Sequence, residues 1–215
     1  KCGNGIRCVA KFVYDKGLTD KNPVTIETLS GIKTVEMQVE EGKVVSAKVD
    51  MGKPIFKATE IPMNCDHYIF VDQGLVLDDK HDDVTKEKVV FNGTAISMGN
   101  PHAVVFMNQV KDLEIEKLGP YLENHERFPN RTNTEFVEII DRRNVFMRVW
   151  ERGTGETLAC GTGCCATAVA CIVNGFTENA ITVKVLGGEI EVEWDRESDL
   201  IYMTGPAQTV FEGEI

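Results

Sequence analysis

Apolar positions along the chain follow two kinds of pattern, and the same succession of patterns occurs twice. In the first occurrence a small and apolar segment at residues 6–14 stops at Gly17-Leu18-Thr19. β-branched and alternating runs follow at 24–27, 35–39 and 44–49. In the second, residues 164–173 stop at Gly175-Phe176-Thr177, and the runs recur at 181–184, 190–194 and 200–203. A glycine after a periodic apolar segment is a helix C-cap signal, and alternation with period two is a strand signal. The pattern therefore predicts helix, strand, strand, strand, given twice. Each copy opens on the same tetrapeptide form, Cys2-Gly3-Asn4-Gly5 and Cys160-Gly161-Thr162-Gly163. The offset is 158 residues from these motifs to the glycine stops and 157 at the turns Gly31 and Gly188. One residue drops out between helix and strand, and a duplicated half-domain accounts for the order.

The intervening stretch is less regular. Residues 61–84 are mixed, and the cluster Asp78-Asp79-Lys80-His81-Asp82-Asp83 reads as a solvated loop. Strands are predicted at 89–91, 94–98 and 103–106, and a surface helix at 110–124 carrying Leu113, Ile115, Leu118 and Leu122 inward. Two further strands, 136–140 and 145–150, flank the charged turn Asp141-Arg142-Arg143-Asn144. With no low-complexity segment or long linker, the halves are expected to pack directly together.

Charge and composition narrow the function classes. The chain has 215 residues and a net charge of −11, which argues against a nucleic-acid backbone as partner. No apolar run approaches the ~18 residues of a membrane span. The opening Lys1-Cys2-Gly3-Asn4-Gly5 does not read as a secretory signal, so a reducing, cytoplasmic setting is expected for the seven cysteines. Four of these, Cys8, Cys65, Cys165 and Cys171, read as packing residues. Zinc is disfavoured because the spacings lack paired C-x2-C knuckles with nearby histidines, and no C-x-x-C dithiol occurs. Neither a P-loop nor G-x-G-x-x-G is present.

Cys2 and Cys160 are different, because each directly precedes a glycine-rich helix start. Free amides at a helix N-terminus favour anions, and glycines let a ligand approach the backbone. The same field is expected to lower the thiol pKa toward neutrality. A duplicated fold tends to place equivalent residues about a pseudo-twofold axis. Two thiols would then face each other across one cleft, suited to removing a proton from one face of a carbon and supplying one to the other.

Four motifs in register carry a resemblance. Cys2-Gly3-Asn4-Gly5-Ile6-Arg7-Cys8, Ser97-Met98-Gly99-Asn100-Pro101-His102, Arg131-Thr132-Asn133-Thr134-Glu135-Phe136 and the run from Glu151-Arg152-Gly153 to Cys160-Gly161-Thr162-Gly163 resemble the diaminopimelate epimerases. The likeness extends through Tyr202-Met203-Thr204-Gly205-Pro206-Ala207. It implies a mixed α/β (α+β) fold of two pseudo-symmetric half-domains, each a mostly antiparallel sheet wrapped around a central helix. The first half is expected at 1–87, with 206–215 returning to it, and the second at 88–205. The implied reaction is conversion of LL-diaminopimelate to the meso form, on the lysine and peptidoglycan route, without cofactor or metal. Carried over, Cys2 and Cys160 are the acid/base pair, supported by His102. Amides at Gly3-Asn4 and Gly161-Thr162 hold the α-carboxylate, Glu151 takes the α-ammonium, and Asn133 and Arg152, helped by Asn100, grip the distal amino-acid end.

Each of these residues also has a plain structural reading: Asn100 as a turn residue, His102 as a packed histidine, Glu151 and Arg152 as a surface ion pair, Asn133 as a loop residue. Two other functions remain open on sequence: a two-thiol racemase of the proline or hydroxyproline type, and a non-catalytic amino-acid-binding module. The family's polypeptides begin upstream of the first catalytic cysteine, so the first half is expected to be incomplete and the 215-residue chain by itself inactive. The missing strands would come from an upstream segment or a separate polypeptide, and a homodimer is left open.

Overall fold

The computed structural model describes residues 3–29, 31–77 and 89–213. The first repeat folds as helix α1 (Gly3–Asp15) and strands β1 (Val24–Thr28), β2 (Gly31–Glu40) and β3 (Lys43–Gly52). The middle of the chain forms β4 (Gln73–Leu77), β5 (Val89–Ser97), β6 (Pro101–Phe106), helix α2 (Ile115–Glu123), β7 (Asn133–Ile139), β8 (Asn144–Glu151) and β9 (Gly155–Thr157). The second repeat supplies helix α3 (Gly161–Val173) and strands β10 (Ala180–Val185), β11 (Gly188–Asp195) and β12 (Leu200–Pro206). This is a mixed α+β, sheet-rich fold.

The repeat is exact in its helices. α1 and α3 are each 13 residues long, and their limits differ by the same 158 residues as the sequence motifs. They end in the same two-bond cap. Gly17 N donates to Tyr14 O and Leu18 N to Val13 O, as Gly175 N donates to Ile172 O and Phe176 N to Cys171 O. Gly17 and Gly175 take φ of 68° and 74°, a left-handed conformation open to glycine without steric cost.

The strands form one twelve-stranded sheet in the order β1-β2-β3-β12-β11-β10-β8-β7-β6-β5-β4, with β9 off this path and paired to the C-terminal end of β8. Reading outward from the β3–β12 seam, the two repeats appear in mirrored order. The seam's register obeys the same symmetry: Met203 faces Val49 and Pro206 faces Ser46, two pairs that exchange under the 157-residue shift. A pseudo-twofold axis therefore runs between β3 and β12. Pairing is antiparallel except for β6–β7 and β8–β10 among the described residues.

The two helices differ in surroundings. α3 is built of Gly, Ala, Cys, Thr, Val and one Ile, and all but Ile172 and Val173 are buried. Small side chains let strands close around it on every side. α1 buries only Gly3, Arg7 and Ala10, and Phe12 is 57 % exposed. Cys8 lies on that exposed face rather than in the core as expected, because no strand covers the outer side of α1 among the described residues. One hydrophobic core joins α1 and α3 to the sheet. A second gathers Ile61, Phe70, Ile115, Leu122 and Phe136 under α2.

Several elements differ from expectation. The strands expected at 89–91 and 94–98 are one, β5, because Gly93 keeps ladder pairing with Gln73 on one side and Val105 on the other. The helix expected at 110–124 is a 3-10 turn at Val110–Asp112 followed by α2, since Leu113 is extended with ψ 132°. β4 and β9 carry no clear alternation that would predict them. The acidic cluster 78–83 lies outside the described residues.

Candidate active site

The pseudo-twofold axis brings the starts of α1 and α3 together. A Cβ built on Gly161 would lie 3.4 Å from Gly3 Cα, 3.4 Å from Asn4 Oδ1 and 3.3 Å from Met203 Sδ. Asn4 reaches across the gap, its Nδ2 donating to Ala159 O at 3.4 Å and its Oδ1 accepting from Arg7 Nη1 at 3.2 Å. Two helix N-termini thus point into one space, and their partial positive charges add there.

Cys160 caps α3. Its Sγ accepts from Gly163 N at 3.4 Å and lies 3.5 Å from Thr162 Oγ1. The first intrahelical bond runs from Cys164 N to Cys160 O at 2.8 Å, so the amides of Gly161 and Thr162 precede the helical ladder. Cys160 is 7 % exposed. Its pKa is not lowered toward neutrality as expected but pushed up to about 12. Burial is the main cause, followed by the negative charge of Glu135. Bonds from Thr162 and Gly163 pull the other way, and Glu151 adds further upward pressure. Desolvation outweighs the helix field here. Cys2, the repeat mate of Cys160, lies outside the described residues.

The other expected residues lie together at one end of β6, β7 and β8. Asn100 Nδ2 donates to Thr162 Oγ1 at 3.2 Å. His102 is wholly buried, its Nδ1 2.7 Å from Glu135 Oε1. Asn133 ties two loops together: Nδ2 donates to Pro101 O at 3.0 Å and Oδ1 accepts from Arg152 N at 2.9 Å. The Asn133 amide is therefore engaged with backbone, and it shapes the Arg152 turn. Arg152 Nη1 donates to Asn130 O at 2.9 Å, and Glu151 Oε1 accepts from Thr157 Oγ1 at 2.5 Å. Glu151 and Arg152 are thus held apart from each other's charge, contrary to a plain surface ion pair.

Two residues were not singled out from sequence. Glu135 lies two positions after Asn133 on the same face of β7, so period-two alternation carried its signal. Glu123, at the end of α2, clamps the 151–153 turn. Its Oε1 accepts from Arg131 Nη1 at 2.8 Å and Gly153 N at 2.9 Å, and its Oε2 from Trp150 Nε1 at 2.7 Å. Nothing in the local sequence marks that role. Among the described residues, no three His, Cys, Asp or Glu side chains are grouped as a metal site would need.

The chain is 54% identical over 214 residues to a diaminopimelate epimerase of Methanococcus maripaludis, covering all of this chain and 74% of that protein. It is 51% identical over 214 residues to one from Acetivibrio thermocellus, covering all of this chain and 73% of that protein. A solved hydroxyproline epimerase from Agrobacterium vitis shares the fold at TM-score 0.67 and 15% identity, over 96% of this chain and 63% of that one. The family model described as diaminopimelate epimerase matches residues 1–57 and 94–210. With relatives above half identical along its whole length, the chain belongs to the diaminopimelate epimerase family.

Proposed function

We propose that the protein interconverts LL- and meso-diaminopimelate without a cofactor, Cys160 and Cys2 serving as the two proton-carrying thiols. The observation that carries this reading is the meeting of the α1 and α3 N-termini, with Cys160 as the cap of α3. A carboxylate seated against the amides of Gly3-Asn4 and Gly161-Thr162 would place its α-carbon between the two repeat-related sulfurs. One thiolate takes the α-proton: the C–H bond breaks and an S–H bond forms. The charge that develops spreads onto the carboxylate, where two helix N-termini stabilise it. The opposing thiol then releases its proton to the other face of the carbon and becomes the thiolate. The net change is inversion at one centre, with atoms and charge conserved.

His102 supports the reacting centre, Glu151 receives the α-ammonium, and Arg152 with Asn133 and Asn100 reads the distal amino-acid end. A guanidinium fork suits that distal carboxylate. Residues 1–87 with 206–215, and residues 88–205, act as two lobes closing on the substrate. Two contacts support return of the C-terminal segment to the first lobe: Ala207 N to Val45 O at 3.3 Å and Lys16 Nζ to Glu212 Oε1 at 2.6 Å. The product serves lysine and peptidoglycan precursor synthesis in the cytoplasm. No helix among the described residues is long and apolar enough to cross a membrane.

The test is incubation in D2O with LL-diaminopimelate, meso-diaminopimelate, L-proline or trans-4-hydroxy-L-proline, followed by NMR at the α-carbon. Deuterium entry with inversion in diaminopimelate supports the reading. Exchange in the proline compounds instead, or in none, defeats it.

A further inference from the structure

We propose that Glu135 is a positioning residue for this reaction: its buried carboxylate fixes the ring of His102 and seats the start of α3 beneath Cys160. The proposal rests on the epimerase reading above and adds a residue to it. Glu135 and His102 are both 0 % exposed, with Oε1 2.7 Å from Nδ1. The parallel β6–β7 register pairs His102 with Asn133, which sets Glu135 one pleat further along the same face.

The same oxygen also fills a notch at the helix. A Cβ on Gly163 would fall 2.7 Å from Glu135 Oε1, and it is the Gly163 amide that holds Cys160 Sγ. One carboxylate oxygen thus touches the histidine on one side and the turn carrying the thiol on the other. Burying a carboxylate is expensive, and a site needing only stability would be served as well by apolar packing. This pair, moreover, is incompletely satisfied: Glu135 Oε2 and His102 Nε2 are buried and have no hydrogen-bond partner among the described residues. A carboxylate only accepts, so Nδ1 carries the ring proton and the Nε2 lone pair is left available. The negative charge of Glu135 is also the second largest influence keeping Cys160 protonated.

Three readouts test this in the natural polypeptide. Nitrogen-15 NMR of the wild-type histidines should show His102 as the Nδ1–H tautomer; the Nε2–H tautomer overturns the proposal without any variant. Glu135→Gln, which keeps the shape but loses the charge, should mix the tautomers and lower kcat roughly 10- to 100-fold, short of removing a proton-transferring group. KM should stay within about twofold, since Glu135 does not touch substrate. The pH profile for alkylation of Cys160 should move to lower pH. Glu135→Asp should recover part of the rate. Unchanged kcat and alkylation profile in Glu135→Gln overturn the proposal, as does an equal loss in Glu135→Asp and Glu135→Gln with an unmoved profile. If wild-type protein fails to epimerise diaminopimelate, the epimerase reading falls instead, and the histidine tautomer still decides the positional claim.

Discussion

Gly161 and Gly3, the first residues of the two repeat helices, approach so closely that a methyl group on Gly161 would sit 3.4 Å from the Gly3 Cα. That gap lies between the two N-termini where a carboxylate would be held. Gly161→Ala should fill it while disturbing little else, since its tightest neighbour is the flexible Met203 Sδ at 3.3 Å. The expected outcome is a loss of activity of at least about 100-fold with stability changed by about 1 kcal/mol or less. Steady-state kinetics and urea unfolding measure the two separately. Full activity in a folded Gly161→Ala protein would remove the gap from the site.

Cys160 makes stability depend on pH in a definite direction. Its thiol is pushed from the ordinary 9.0 up to about 12, and Cys171 likewise to about 12, while Cys164 is raised by burial as well. Below pH 9 both folded and unfolded chains keep these protons, and the thiols impose no pH dependence. Above pH 9 the unfolded chain releases them and the folded chain does not, so stability falls as pH rises toward 12. Each such thiol contributes a slope of roughly 1.4 kcal/mol per pH unit. Urea midpoints from pH 7 to 10.5 should show this decline, and Cys160→Ser should show a shallower one. Equal slopes in the two proteins would contradict the burial argument for Cys160.

Glu123 should matter well beyond its place at the end of a surface helix. Glu123→Ala removes the acceptor from Trp150 Nε1, on a half-buried side chain, and from the N–H of the exposed Gly153. The expected cost is roughly 1–2 kcal/mol of stability, most of it from the Trp150 donor. The half-exposed Arg131 side chain adds little to that figure. Because the 151–153 turn loses its clamp, KM for diaminopimelate should rise several-fold. Glu123→Gln, which keeps one acceptor oxygen, should recover part of both effects. A Glu123→Ala protein with wild-type melting and KM would show that the turn holds itself.

Much of this fold was legible because it is written twice. One Cys-Gly-x-Gly could arise by chance. Its recurrence with a glycine stop and three alternating runs placed both helices; each begins three residues before the apolar segment, and their limits keep the 158-residue offset to the residue. Legibility failed where local pattern and long-range contact disagree. Gly93 looks like a strand break, yet it sits mid-strand where Leu75 packs over it, a Cβ there falling 2.8 Å from Leu75 Cδ1. Cys8 looks like core, but its burial depends on what covers α1. The Cys160 pKa went opposite to the helix-field argument, because its direction is set by Glu135 and by the packing around the sulfur, neither of which is adjacent in sequence. Asn133 was legible as a candidate. That its amide holds backbone at Pro101 and Arg152 was not, since both partners are far along the chain.

In the reaction proposed here, two separate thiols, one on each face of the substrate carbon, carry the protons. The direct measurement is deuterium content in the first turnovers of LL-diaminopimelate in D2O, read in the meso product and in the unreacted substrate. Two thiols on opposite faces predict one solvent deuterium in nearly every product molecule and almost none in recovered substrate. Product that retains the substrate's own proton, or substrate and product labelled alike from the start, would contradict it.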